Sequence, residues 1–183
     1  ERQLQALCGE FRSCNGSYDC LVPGSGGKDS VYASHILKTK YGMRPLTVTW
    51  APHLYTDVGF RNFQNWLHIG GFDNYLFTPD GQTHRLLTRL AFDNLLHPFQ
   101  PFILGQKNYA PRMAQRMGIP LVFYGESEAE YGNDEPEGPD RARRYYVKGD
   151  APVMLGGVPV ESIPCDPRAL EPYLPVDSDG LRV

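Results

Sequence analysis

The chain has 183 residues, of which 41% are hydrophobic and 21% charged, and its formal net charge is −3. This length and composition are typical of a globular protein with a substantial core. The charge argues against a protein that binds RNA or DNA through a broad basic surface. Because no apolar run reaches about eighteen residues, the sequence predicts no membrane span and no membrane partner.

In chain order, the sequence alternates between helical and strand-like patterns. Apolar residues at helical spacing predict helices over residues 2–11, 30–41, 57–69, 84–96 and 102–117. Short β-branched and apolar runs predict strands over residues 18–22, 46–50, 75–78 and 120–124. This alternation predicts an α/β fold with βαβ crossovers and a mainly parallel sheet. Such sheets bind ligands at the carboxyl ends of their strands.

A loop rich in glycine and serine follows the first predicted strand. Residues 24–30 read GSGGKDS and lead into the helix predicted over 30–41. Glycines allow the backbone to approach an anion closely, and the free N–H groups at a helix start attract it. A carboxylate such as Asp29 can hold a Mg²⁺ ion that bridges phosphates. Strand, loop and helix together predict a phosphate-binding site, the alternative being an ordinary turn.

Residues 25–30 resemble the S-G-G-x-D-S signature of the ATP pyrophosphatases, or PP-loop enzymes, at all five fixed positions. That family splits ATP between its α- and β-phosphates and leaves an adenylated intermediate. The resemblance implies a Rossmann-like fold in three layers, of the adenine nucleotide alpha hydrolase (HUP) type. It also implies ATP as the nucleotide and Mg²⁺ as the metal.

Further segments are similar to the N-acetyl sugar amidotransferases, which act in bacterial surface-polysaccharide (lipopolysaccharide) or flagellar sugar synthesis. The similar segments are residues 19–23, 37–46, 97–102, 105–107, 120–126 and 130–133. The resemblance implies that ATP activates the N-acetyl group of a nucleotide-activated sugar for conversion to an acetamidino group. It implies ammonia from a partner glutaminase and its channel, and it leaves a homo-oligomer possible.

The resemblance covers about residues 1–134, and the sequence changes character there. Residues 133–140 are acidic and rich in proline and glycine, and later prolines exclude long regular elements. We therefore predict a nucleotide-binding domain over residues 1–132 and an irregular C-terminal appendage over 133–183. Family members usually carry cysteines before the first helix and a helical C-terminal half. The sequence differs on both points, which is the expectation for a truncated or divergent member.

The phosphate-binding residues are expected in the loop itself. Ser25, Gly26, Gly27 and Ser30 are assigned to the pyrophosphate, the alternative being a turn with a helix cap. Lys28 stands at the variable position of the signature. It is expected either to contact phosphate or to face solvent.

The predicted catalytic residues lie in and beyond this loop. Asp29 is expected to hold Mg²⁺, or else to be an acid that the helix dipole favours in the first turn. Lys107 is assigned to the γ-phosphate or to developing negative charge, with an exposed helix lysine as the alternative. Glu126 is expected to hold Mg²⁺ or to orient ammonia, unless it is only solvated. Trp50 is expected either to contact adenine or to lie in the core.

Two other functions compete with the amidotransferase. The first is a PP-loop enzyme that modifies tRNA, a thiolase or ligase, although the paired cysteines and basic surface of the thiolases are not evident. The second is a non-catalytic, nucleotide-binding subunit that docks a glutaminase.

The cysteines lack metal or redox spacing, which predicts free thiols in a reducing cytoplasm. They are Cys8, Cys14, Cys20 and Cys165. His53 and His97 are expected to be ordinary hydrogen-bonded histidines, the alternative being contact with substrate.

Overall fold

The structure, a computed structural model, describes residues 1–126, 153–176 and 180–182. Its α-helices are α1 (Arg2–Glu10), α2 (Lys28–Thr39), α3 (Asp57–His68), α4 (Gly81–Leu95), α5 (Gln100–Met117) and α6 (Pro167–Leu170). Its strands are β1 (Cys20–Pro23), β2 (Pro45–Trp50), β3 (Asn74–Phe77), β4 (Met154–Leu155) and β5 (Val158–Pro159). Among these residues, none of the helices combines the length and the apolar character needed to cross a membrane.

Strands β1, β2 and β3 form a parallel sheet in that spatial order. Leu21 is paired with Leu46, and Val48 with Tyr75. The predicted α/β class with parallel strands is therefore confirmed, and the described architecture is compatible with a Rossmann-like fold. Strands β4 and β5 pair with each other in a second, antiparallel sheet, which is separate from the parallel one.

The prediction of a fourth strand over residues 120–124 is wrong, because this segment forms only isolated β-bridges. This segment makes an isolated parallel bridge to β1, between Val122 and Leu21. The N–H of Leu21 donates to Leu121 O and the N–H of Phe123 donates to Leu21 O, both at 2.8 Å. The next donor on this side of β1 belongs to Pro23, which has no N–H, so the ladder stops there.

Helices cover both faces of the parallel sheet. Along β1, Val22 packs in a cluster with Leu37 of α2, whereas Leu21 belongs to a cluster with Ala110 and Ala114 of α5. This alternation follows from the two-residue period of a strand. Helices α2 and α5 therefore sandwich the sheet.

Three helices begin earlier than predicted. Asp80 caps α4 by accepting a hydrogen bond from the Thr83 N–H at 2.8 Å, so the helix starts at Gly81. Helix α5 starts at Gln100 with Pro101 in its first turn, a position that tolerates proline because its N–H has no partner there. Helix α2 starts at Lys28.

Residues 153–176 pack against the nucleotide-binding domain predicted over 1–132. Leu155, Leu170 and Tyr173 are almost fully buried in the cluster that contains Leu21 and Ala114. The division into a domain and an appendage at residues 132 and 133 stays a prediction. The acidic loop predicted over 133–140 and the similar segment 130–133 lie outside the described residues.

The four cysteines are free thiols, as predicted. Cys8 and Cys20 are buried in the cluster between α1, α2 and β1. Burial raises the pKa of the Cys20 thiol to about 12, so this group is a structural apolar side chain rather than a nucleophile.

Candidate active site

A cavity of about 480 Å³ opens at the carboxyl ends of β1 and β2. Its walls are the loop between β1 and α2, the end of β2, one face of α5, and residues 124–126. This is the edge at which parallel α/β sheets bind ligands. The volume falls within the range of pockets that hold small molecules and cofactors.

Close packing fixes the shape of the loop between β1 and α2. The N–H of Gly24 donates to Val48 O at 2.9 Å, and a Cβ atom at Gly24 would lie 2.2 Å from the Cβ of Ser30. Gly26 has a φ of +83°, and a Cβ atom there would lie 2.7 Å from the Cα of Phe63 in α3. Both positions require glycine because the loop runs between two helices without room for a side chain.

The N-terminus of α2 faces this cavity without a side-chain cap. Gly27 is the N-cap residue in extended conformation, and a Cβ atom there would meet no other atom within 4 Å. The Ser30 hydroxyl donates to Gly27 O at 3.1 Å. The first N–H groups of the helix are therefore available to an anion, and the helix dipole favours negative charge at this end.

Trp50 separates the cavity from the core. Its side chain lines the cavity and is only 5% exposed, packing edge-on against Tyr109 at 5.8 Å between ring centroids. Among the described residues its Nε1 atom is buried without a hydrogen-bond partner. Trp50 therefore lies in the core and also forms part of the cavity wall. Its contact with adenine stays a prediction.

Helix α5 supplies the opposite wall. Ile103, Gln106, Lys107 and Ala110 line the cavity at helical spacing, so they occupy one face. The Tyr124 hydroxyl donates to Lys107 O at 3.2 Å, which ties the segment after residue 123 to this helix.

Three predicted catalytic residues meet in the cavity. Asp29 lies in the first turn of α2, Lys107 on α5, and Glu126 three residues beyond Phe123, and all three line the same space. Gly125 makes this approach possible. A Cβ atom there would lie 2.7 Å from the carbonyl oxygen of Asp29.

Two predicted phosphate-binding residues do not line the cavity. Gly26 is buried beneath α3, so its role is to let the loop pack. The Lys28 side chain is 91% exposed, and its ammonium lies 4.0 Å from an Asp29 carboxylate oxygen. Such an exposed pair is strongly screened by solvent. Ser25, Gly27, Ser30 and Trp50 line the cavity, and their assignment to a nucleotide stays a prediction.

Sequence reasoning missed Gln106, Tyr109 and Tyr124, which also line the cavity. Gln106 and Tyr124 lie inside segments that resemble the amidotransferases, but they had been given no role. For Gln106, the signal was its place at helical spacing between Ile103 and Ala110.

The oxygen donors of the cavity fit a magnesium–phosphate complex. Magnesium in such complexes is held by one or two carboxylates together with substrate phosphates and water. Asp29 and Glu126 offer the carboxylates, and Ser25 offers an exposed hydroxyl. Across the described ranges, no group of three or more His, Cys, Asp or Glu side chains forms a metal cage.

A scan against models of known protein families finds no match, and a search of curated proteins finds no relative.

Proposed function

We propose that this chain binds MgATP in the cavity beside β1 and transfers the adenylyl group to an acceptor, as a PP-loop enzyme of HUP type. The observation that carries the proposal is the uncapped N-terminus of α2, which faces the same cavity as Asp29, Lys107 and Glu126. A phosphate chain needs such a concentration of N–H donors, a cation and carboxylates for a bridging metal.

Each wall of the cavity suits one part of the nucleotide. The backbone N–H groups of α2 and the Ser25 hydroxyl bind the phosphates, and Lys107 neutralises negative charge that develops there. The apolar side chains of Val48, Trp50 and Ile103 form a surface for adenine. Magnesium, held by Asp29 and Glu126, would neutralise the phosphates and orient them for in-line displacement.

The acceptor we propose is the N-acetyl group of a nucleotide-activated sugar. Its carbonyl oxygen attacks the α-phosphorus of ATP, and pyrophosphate leaves. Ammonia from a partner glutaminase then adds to the carbon, and AMP departs to leave an acetamidino group. An amide is a poor electrophile, so adenylation of its carbonyl oxygen, which then leaves as part of AMP, lowers the barrier to attack by ammonia. The protein contributes mainly positioning and electrostatic stabilisation. We place this reaction in the cytoplasm, where ATP is available.

The test is to incubate the protein with ATP, Mg²⁺, ammonium and UDP-N-acetylglucosamine or related N-acetyl sugars. We expect AMP and pyrophosphate in equal amounts, only when a sugar acceptor is present, and no release by Asp29→Asn. Release of ADP and phosphate would contradict the proposal. Pyrophosphate release that depends on tRNA would favour a tRNA-modifying enzyme, and MgATP binding without turnover would favour a non-catalytic subunit.

A further inference from the structure

A second cavity, of about 470 Å³, lies at the carboxyl ends of β2 and β3. The residues that follow the two strands, the first turns of α4 and the connection from α4 to α5 form its walls. His53, His84 and Arg85 supply its basic side chains, and Pro98 and Phe99 supply an apolar rim. This cavity takes no part in the nucleotide site described above.

The two cavities are neighbours along the same edge of the sheet. The His53 ring packs on Phe102 at 4.9 Å between centroids, and the next residue, Ile103, lines the first cavity. The Trp50 ring, also in the wall of the first cavity, lies 6.5 Å from the His84 ring. A ligand in the second cavity would therefore lie beside a nucleotide in the first.

His53 and His84, which line the second cavity, belong to a hydrogen-bonded chain of three side chains that Tyr173 completes behind them. The Tyr173 hydroxyl lies 2.7 Å from His84 Nδ1, and His84 Nε2 lies 3.3 Å from His53 Nε2. His84 is buried, whereas His53 is exposed. When His84 is neutral with its proton on Nδ1, it donates to Tyr173 and accepts from His53. The Nδ1 atom of His53 takes no part in this chain.

Arg85 adds a permanent positive charge to the same cavity. In the part of the chain that the structure describes, no carboxylate lies within ion-pair distance of Arg85. None of the described residues that line the cavity is acidic. Asp80, the N-cap residue of α4, has its carboxylate engaged by the Thr83 N–H, from which it accepts at 2.8 Å.

We propose that the second cavity is a separate binding site for a phosphate-bearing small molecule, held by Arg85 and His53 against the apolar rim. Guanidinium and imidazolium groups make strong charge-assisted hydrogen bonds to phosphate oxygens. The cavity has the volume of an ordinary small-molecule site. The ligand is either a nucleotide-activated acceptor or a free inorganic anion, which share this chemistry.

The experiment follows the histidine ring signals by NMR in protein with ¹³C-labelled histidine. The chain has five histidines, so each ring signal can be resolved, and His53→Gln identifies that of His53. The first cavity is saturated with Mg²⁺ and α,β-methylene-ATP, which cannot be cleaved between the α- and β-phosphates. Pyrophosphate is then titrated, followed by UDP-N-acetylglucosamine in a second series.

We expect a saturable shift of the His53 signal and a Kd that rises about tenfold in Arg85→Gln, the loss of one charge-assisted contact. Arg89→Gln is the matched control, since Arg89 lies one turn further along α4, is 82% exposed and pairs with Asp93. An unmoved His53 signal, or equal affinity in the two arginine variants, would overturn the proposal. Tighter binding of the sugar nucleotide identifies the acceptor as the ligand, and equal or weaker binding identifies an inorganic anion; either supports the site.

The second site does not depend on the proposed function. If the ATP analogue fails to bind, the proposed function fails. The same titrations on the free protein still test the second cavity, because a response weakened by Arg85→Gln and kept in Arg89→Gln belongs to that cavity.

Discussion

A Cβ atom at Gly105 would lie 2.3 Å from Cζ2 of Trp50. The indole ring thus occupies the place of a side chain on α5, and this contact sets the distance between the helix and β2. It holds one wall of the first cavity against the sheet.

Gly105→Ala should destabilise the protein, although alanine is the better helix former. Overpacking against the Trp50 ring should lower the free energy of unfolding by about 1–3 kcal/mol. The matched control is Gly9→Ala in α1, where a Cβ atom would meet nothing within 4 Å. That change should raise stability by about 0.5 kcal/mol. Urea denaturation of both variants checks this, and a Gly105→Ala protein as stable as Gly9→Ala would contradict the packing.

Ser34 supports the loop between β1 and α2. Its hydroxyl accepts from Trp66 Nε1 at 2.8 Å and donates to Ser30 O at 2.7 Å. The Trp66 ring in turn lies close to Gly24 of the loop, because a Cβ atom at Gly24 would be 3.1 Å from it. Ser34→Ala should cost about 1–3 kcal/mol, because it leaves the buried indole N–H without an acceptor.

The control for Ser34→Ala is Thr39→Ala, at an exposed site on the same helix. The Thr39 hydroxyl makes a similar bond to the carbonyl four residues earlier, at 2.8 Å from His35 O, but accepts from no buried donor. We expect a change within about 0.5 kcal/mol. Equal losses for the two variants in thermal unfolding would show that the bond to Trp66 contributes little.

Burial of His84 should make stability depend on pH. Burial first, and the nearby His53 second, lower the pKa of His84 to about 4, below the ordinary value of 6.5. Between these two values the unfolded chain binds more protons than the folded one, so stability falls as the pH drops. From pH 7 to pH 5 the loss from this group should be about 1–2 kcal/mol.

The measurement compares urea unfolding at pH 7 and pH 5 in wild type, His84→Gln and His68→Gln. His84→Gln should lose this part of the pH dependence, whatever its stability at pH 7. His68 is exposed, and His68→Gln should keep the wild-type dependence. A wild-type dependence in His84→Gln would contradict a buried neutral imidazole.

Glu171 attaches the C-terminal segment to α5. Its carboxylate accepts from Arg112 at 2.7 Å and from Arg116 at 2.8 Å. The Arg112 side chain is only 14% exposed, and burial lowers the pKa of its guanidinium. Glu171→Ala should cost about 1–3 kcal/mol, since it leaves a largely buried charge without its partner.

Glu161→Ala provides the comparison for Glu171→Ala. Glu161 is exposed, and among the described residues it forms no ion pair. Its removal should change the free energy of unfolding by less than about 0.5 kcal/mol. Similar results for both glutamates would show that the ion pairs of Glu171 contribute little to holding the segment.

The periodic parts of the sequence predicted the parts of the fold that depend on local pattern. Helical spacing located α1 to α5, and the run ending at Pro23 located the loop before α2. The prediction of a strand over residues 120–124 failed for a local reason as well, since Pro23 of β1 has no N–H to donate to a fourth strand. The hydrophobic pattern of residues 120–124 contains no information about the donors of β1, so it could not show this.

Contacts between distant residues could not be predicted in the same way. His84 and Tyr173 are 89 positions apart, and no pattern in either segment indicates that they share a hydrogen bond. For this reason the sequence did not predict the second cavity, although contact with substrate was one of the two alternatives for His53. Asp29 and Glu126 were expected at one site because parallel strands bring their carboxyl ends together, which is a property of topology. Lys107 lies within a helix, and this argument does not place it.

The most direct test of the central claim is calorimetric titration with MgATP of wild type, Asp29→Asn and Asp57→Asn. Asp57 is the matched control, because it also lies in the first turn of a helix but belongs to α3 and does not line the cavity. We predict one MgATP site in wild type and in Asp57→Asn, with affinity at least about tenfold weaker in Asp29→Asn. Absence of MgATP binding in wild type, or equal affinity in all three proteins, would contradict a phosphate site at the start of α2.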